Sequence, residues 1–162
     1  MIVHSWDTAI KSGQGNDASA CAVFEEMEDK IHRLIEMWVG RVEYPELKRT
    51  VLRLAVRDSP VAILIEDKAS GQSLLQDLKR EGGWPVIGVL PKGDKITRFA
   101  RVTPMIEAGQ VALPRHATWL AAFEQELMAF PASAHDDQVD AFSQYLNWIR
   151  EKNPGNWRIR AF

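Results

Sequence analysis

The sequence has a single cysteine, Cys21, so no disulfide can form within the chain, and a reducing compartment suits it. It has no apolar run of transmembrane length and no signal-peptide pattern, since Met1 leads almost directly into a strand-like segment. It lacks an excess of either charge. Twenty Lys and Arg stand against 22 Asp and Glu, with a net charge of -2. Overall charge therefore gives no support for nucleic-acid binding, and any such surface must be local. There is no internal repeat, no low-complexity tract and no G-x-x-x-x-G-K-[ST] loop, which leaves out a P-loop nucleotide motor. The 162 residues that remain have the composition of one ordinary globular domain with a sizeable core.

What the chain does have is a dense acidic stretch, His135-Asp136-Asp137-Gln138-Val139-Asp140-Ala141, before its last helix. Ser133 or Asp136 can cap that helix, and early acids suit its positive end. Val139, Phe142, Leu146 and Ile149 follow at three- and four-residue steps, so one stripe faces a core. Asp137 and Asp140 are neighbours on a helix surface, as are Asp136 and Asp140. Like charges that close repel unless a cation sits between them. Alone, the stretch reads equally as a capped, solvated helix start. His135 before a helix reads as a cap, a packing residue or a group that positions a water.

Two further acids lie upstream. Residues 1–9 form a strand with Asp7 near its end, although Asp is a poor strand residue. Residues 18–25 and 31–39 make two more strands, joined by short connections as antiparallel hairpins. Tyr44-Pro45-Glu46 opens a helix that ends around Asp58-Ser59-Pro60. Val61-Ala62-Ile63-Leu64-Ile65 is nearly all apolar, the pattern of a strand covered on both faces, and it terminates in Glu66-Asp67-Lys68. Sites gather at the carboxyl ends of such strands. A helix with Leu74, Leu75 and Leu78 follows, then a short strand over residues 86–90. Lys92, Lys95, Arg98 and Arg101 make the one clear basic patch. It reads as a solvated helix face or as a grip on a phosphate backbone. Residues 110–113 are a short extended piece, and residues 118–129 a helix that Thr118 can cap. Residues 151–162, with Trp157, Arg158 and Arg160, form a loosely ordered tail to a domain spanning residues 1–150.

Three hairpin strands followed by βαβ-type crossovers build a mixed five-stranded sheet with helices on both sides, an α/β fold. If the first strand pairs with the fourth, Asp7 and Glu66 become neighbours. The last helix, packed by its Val139 stripe, then brings Asp137 and Asp140 to the same spot. Clustered carboxylates without matching cations either protonate or bind divalent metal. All-oxygen ligation suits Mg²⁺ or Mn²⁺. Two such ions roughly 4 Å apart clamp the attacking and leaving oxygens of a phosphodiester displacement.

Four stretches in this order resemble the C-terminal nuclease domain of phage terminase large subunits, within the RNase H-like superfamily. They are Ser5-Trp6-Asp7-Thr8-Ala9, Ile65-Glu66-Asp67-Lys68-Ala69-Ser70-Gly71, Pro91-Lys92-Gly93-Asp94-Lys95 and the acidic stretch from His135 to Ala141. The resemblance implies an RNase H-like fold and metal-dependent endonucleolytic cutting of concatemeric phage DNA during packaging, in the cytoplasm of the bacterial host. It implies double-stranded DNA, the terminase ATPase domain, the small terminase subunit and the portal as partners. Asp7 matches the first-strand acid, Glu66 the fourth-strand acid and the Asp136-Asp137 pair the last-helix acid, with Asp137 favoured. Asp140 matches a further acidic position. With no motor motif, the chain is expected to be the nuclease domain alone, or the product of a truncated prophage gene, and to cut with weak sequence preference. Competing expectations are a resolvase-like or transposase-like nuclease on the same fold, or a catalytically idle docking module.

Overall fold

The structure, a computed structural model, describes residues 1–9, 18–133 and 135–152. Residues 10–17, residue 134 and residues 153–162 of the expected tail lie outside the described residues. The chain forms β1 (Ile2–Asp7), β2 (Ser19–Glu26), β3 (His32–Gly40), α1 (Tyr44–Asp58), β4 (Ala62–Glu66), α2 (Ala69–Glu81) and β5 (Val86–Val89). These are followed by α3 (Lys95–Ala100), α4 (Thr103–Glu107), β6 (Val111–Ala112), α5 (Leu120–Ala129) and α6 (Asp137–Lys152). Among the described residues no helix is long and apolar enough to cross a membrane.

One mixed sheet runs in the order β5-β4-β1-β2-β3-β6. The hairpin strands β1, β2 and β3 pair antiparallel, while β4 joins β1, and β5 joins β4, in parallel. The sheet thus has six strands, not five. The extra strand is the two-residue β6, which pairs with His32 and Arg33 of β3. Two residues are too few to carry a readable period of alternation. The basic helix is also shorter than its sequence pattern, with α3 ending at Ala100 and α4 beginning at Thr103. At its other end, α6 continues to Lys152 and takes in the first two residues of the expected tail.

The apolar residues divide between the two faces of the sheet. Trp6, Cys21, Val23, Ile63 and Ile65 pack with Leu47, Val51 and Leu54 of α1 and Leu74, Leu75 and Leu78 of α2. Val3, Ala22, Phe24 and Leu64 face the other way, against Phe142, Tyr145, Leu146 and Ile149 of α6 and Phe123 of α5. Because β4 is covered on both faces, its run Ala62 to Ile65 is buried throughout, as its unbroken apolarity demands. Each large side chain that α6 buries contributes about 1.5–3 kcal/mol, enough to fix the helix across β1 and β2. Phe24 and Tyr145 stack with ring centroids 4.0 Å apart.

Two buried histidines carry a pH signature. The His4 Nε2 lies 2.9 Å from Asp58 Oδ2 at the end of α1, and the His32 Nδ1 lies 2.8 Å from the Tyr145 hydroxyl. Burial lowers the pKa of His4, outweighing the opposing pull of Asp58, and burial lowers that of His32 as well. Both folded values are therefore below the unfolded value of about 6.5. Their contribution to stability is complete above that pH and is lost as pH falls toward the folded values, because the unfolded chain then binds more protons. A proton NMR titration is expected to show both rings titrating below pH 6.5; either ring titrating above it would refute the assignment.

Candidate active site

Strand register brings the first two acids together. Trp6 pairs with Ile65 across β1 and β4, and both point into the α1–α2 side of the sheet. Alternation then turns the next residue of each strand, Asp7 and Glu66, to the α6 side. Glu66 pairs in turn with Val89 of β5. All three residues line one cleft, together with Leu90, Pro91, Lys92, Arg98 and Arg101.

The third wall is a single stripe of α6. Asp140, Gln144, Asn147, Trp148 and Glu151 recur at helical spacing and line the same cleft. Gln144 fastens this stripe to β1, donating to Ser5 Oγ at 3.0 Å and to the Trp6 carbonyl at 3.2 Å. Its place one turn after Asp140 was legible in the sequence, although reading the acids alone passed over it. Asp137 lies one turn before the stripe and is not among the cleft-lining residues, but its charge is felt by Asp7. Asp136 borders the site through its contact with Lys95. His135 is exposed, with its amide donating to Ser133 Oγ.

The α6 terminus is held by a residue that sequence reasoning missed. Glu126 of α5 accepts from the amides of Gln138 and Val139 at 2.8 and 3.0 Å, and from the Gln138 side chain at 2.7 Å. The expected cap from Ser133 or Asp136 is thus supplied from another helix. Local pattern gives no signal for a partner twelve residues away.

The field in the cleft is strongly acidic. Burial, reinforced by Asp140, Glu66 and Asp137, pushes the Asp7 carboxyl well above the usual range. Burial, with Glu126 and Asp136 adding to it, raises Asp137 to about 6. The compensating charges come from α3, at the start of which Asp94 caps the helix by accepting from Thr97 N at 2.7 Å. Lys95 Nζ sits 2.6 Å from Asp136 Oδ1 and 3.0 Å from Asp140 Oδ2. Arg98 lies 3.0 Å from Asp140 Oδ1 and 4.0 Å from Glu66. Burial works against the Lys95 charge, but the two carboxylates hold its pKa above the ordinary value. Two members of the basic patch therefore point inward. Lys92 pairs with exposed Glu151, and Arg101 donates to the Lys92 carbonyl, so these two stand at the cleft's rim. Among the described residues, no three acidic, histidine or cysteine side chains stand close enough together to enclose an ion as they are arranged.

Known structures share this architecture. A nuclease of the large terminase from the thermophilic phage G20c, with bound zinc, aligns over 89% of this chain and 78% of its own, at 16% identity and a TM-score of 0.69. Structures of the same phage nuclease contain cobalt and magnesium. The fowlpox virus Holliday junction resolvase aligns over 94% of this chain and 100% of its own, at 17% identity and a TM-score of 0.57. RuvC of T. thermophilus, in complex with a Holliday junction substrate, aligns over 94% and 96%, at 14% identity and a TM-score of 0.55. No match was found among curated proteins. The terminase RNaseH-like domain family matches residues 4–148, nearly the whole described chain, and the protein belongs to that family.

Proposed function

We propose that the protein is a divalent-metal-dependent endodeoxyribonuclease, the nuclease part of a phage terminase large subunit, cutting concatemeric viral DNA during packaging. The observation that carries this reading is the meeting of Asp7, Glu66 and Asp140 from two strands and a helix at one cleft. The donor set fits a hard divalent ion. Its acids offer only carboxylate oxygens, and burial together with their mutual repulsion raises the pKa of Asp7 and Asp137, an arrangement that a divalent ion would relieve. Zinc, cobalt and magnesium in the related phage nuclease support the class of ion, and Mg²⁺ or Mn²⁺ suits the donors here.

Asp7, Glu66 and Asp140 would hold the ions, with Asp136 or Asp137 completing the set. Bound there, they would supply an activated water and offset the charge that builds on the departing 3′ oxygen. The chain's own groups do the rest. Gln144 holds the Asp7 end of β1 against α6. Lys95 and Arg98 lie where they can meet a phosphate, and Lys92 and Arg101 at the rim suit its neighbours along the backbone. Val89, Leu90, Pro91 and Trp148 form the apolar part of the cleft's lining. Double-stranded DNA is the proposed substrate. The terminase ATPase domain, the small subunit and the portal are the proposed partners, in the cytoplasm of the bacterial host.

The fowlpox virus resolvase matches along its whole length, which favours a second reading as a nuclease of branched DNA. One assay separates the two. Purified protein is expected to nick supercoiled plasmid in Mn²⁺ or Mg²⁺ and not in EDTA, with no preference for a four-way junction over a linear duplex. Cutting confined to the junction would replace the terminase reading by the resolvase one. Absence of cutting in any metal would replace both by a docking module.

A further inference from the structure

The two inward cations have a role that a DNA grip does not explain. Both carboxylate oxygens of Asp140 are engaged, Oδ2 by Lys95 and Oδ1 by Arg98. Lys95 also holds Asp136, and Arg98 reaches toward Glu66. Asp140 and Asp136 are among the carboxylates an ion would need, and the oxygens named here are already engaged by cations of α3. The Arg98–Asp140 pair is nearly enclosed, at 13% and 11% side-chain exposure. An enclosed charge left unpaired is costly, so neither partner can simply let go.

We infer that Lys95 and Arg98 are resident counter-cations of the acidic cleft, which a divalent ion must displace from Asp140 in order to bind, and that this exchange sets the metal affinity. The inference rests on the metal-nuclease reading of the same site. A divalent ion carries twice the charge and approaches oxygen more closely than an ammonium or guanidinium, so it wins the exchange once its concentration suffices. The more exposed of the two cations has somewhere to go. Lys95 is about half exposed and can swing outward, while Asn147 Nδ2 holds the Arg98 carbonyl at 2.9 Å, keeping the backbone of α3 against α6. Release of Lys95 therefore needs only side-chain rotation, while Arg98 must turn from Asp140 on a backbone that stays in place. The exchange leaves two cations within a side chain's length of the acids, where a phosphate of DNA is the next available anion.

Calorimetric titration of Mn²⁺ into the EDTA-treated 162-residue protein tests the exchange, with Lys95→Met and Arg98→Gln beside the wild type. A charge-assisted hydrogen bond removed from the competition is expected to tighten Mn²⁺ binding about tenfold in each variant. Each variant should also melt at a lower temperature than wild type in EDTA and gain more on adding Mn²⁺. Lys95→Gln serves in the same way if Lys95→Met does not fold. Variants that bind Mn²⁺ as the wild type does, or more weakly, would overturn the exchange and make the two cations simple scaffolding. Failure of wild type and variants alike to bind Mn²⁺ would overturn the metal-nuclease reading itself, and the exchange with it.

Discussion

Replacing Asp7 with asparagine is expected to leave the metal-free protein at least as stable as the wild type, and to lower metal-dependent cutting by about 10³-fold or more. The two effects have one origin. Asp7 sits at the end of β1, in the fields of Asp140, Glu66 and Asp137, where burial and repulsion favour its protonated form. An asparagine copies that neutral shape, so the metal-free fold loses nothing and is relieved of a share of the repulsion. The same change removes an anionic oxygen donor from the place where three elements converge, and a divalent ion there offsets several kcal/mol of charge in the reaction. Melting curves with and without Mn²⁺ and plasmid nicking check both halves. The wild type should gain stability with Mn²⁺ in proportion to binding, and the variant should gain much less. A variant that nicks and is stabilised like the wild type would remove Asp7 from the site.

The second large effect concerns a residue with no side chain. Gly71, in the first turn of α2, packs its Cα directly over the end of β4. A Cβ there would run into the Glu66 carbonyl oxygen and come within 3.1 Å of Ile65 Cγ2. Backbone oxygen cannot rotate away as a side chain can, so either α2 or the end of β4 must shift. Overpacking of this kind sets the expected loss for Gly71→Ala at about 3 kcal/mol. Because the displaced strand end carries Glu66, metal binding should weaken as well. Chemical denaturation measures the first and calorimetry the second. A loss below about 0.5 kcal/mol would mean that α2 slides along the sheet without disturbing it.

Asp7 and Glu66 were legible in the sequence because strand alternation is local and β4 announces itself by an unbroken apolar run. The stripe Val139, Phe142, Leu146 and Ile149 gave the orientation of α6 for the same reason. Three things were not legible. The two residues of β6 have no period to read. Glu126 meets the start of α6 across space, and no local rule links the two. Lys95 and Arg98 show the spacing of a solvated face, but their direction is decided by acids some forty residues later, and only folding sets them opposite one another. Asp137 and Asp140 were both read as site acids from their spacing, and one turn of helix separates Asp140, which lines the cleft, from Asp137, which does not.

The Glu126 tether also decides which end of the site can receive an anion. Free amides at the start of a long helix ordinarily make a landing place for a phosphate. At α6, the amides of Gln138 and Val139 are already taken by a carboxylate, which adds a negative charge where an incoming phosphate would need a positive one. That end of α6 is therefore a poor seat for a phosphate, whereas α3 offers the cations Lys95 and Arg98. On the nuclease reading proposed above, Lys92 and Arg101 at the cleft's rim are then the cations left to meet a strand's phosphates.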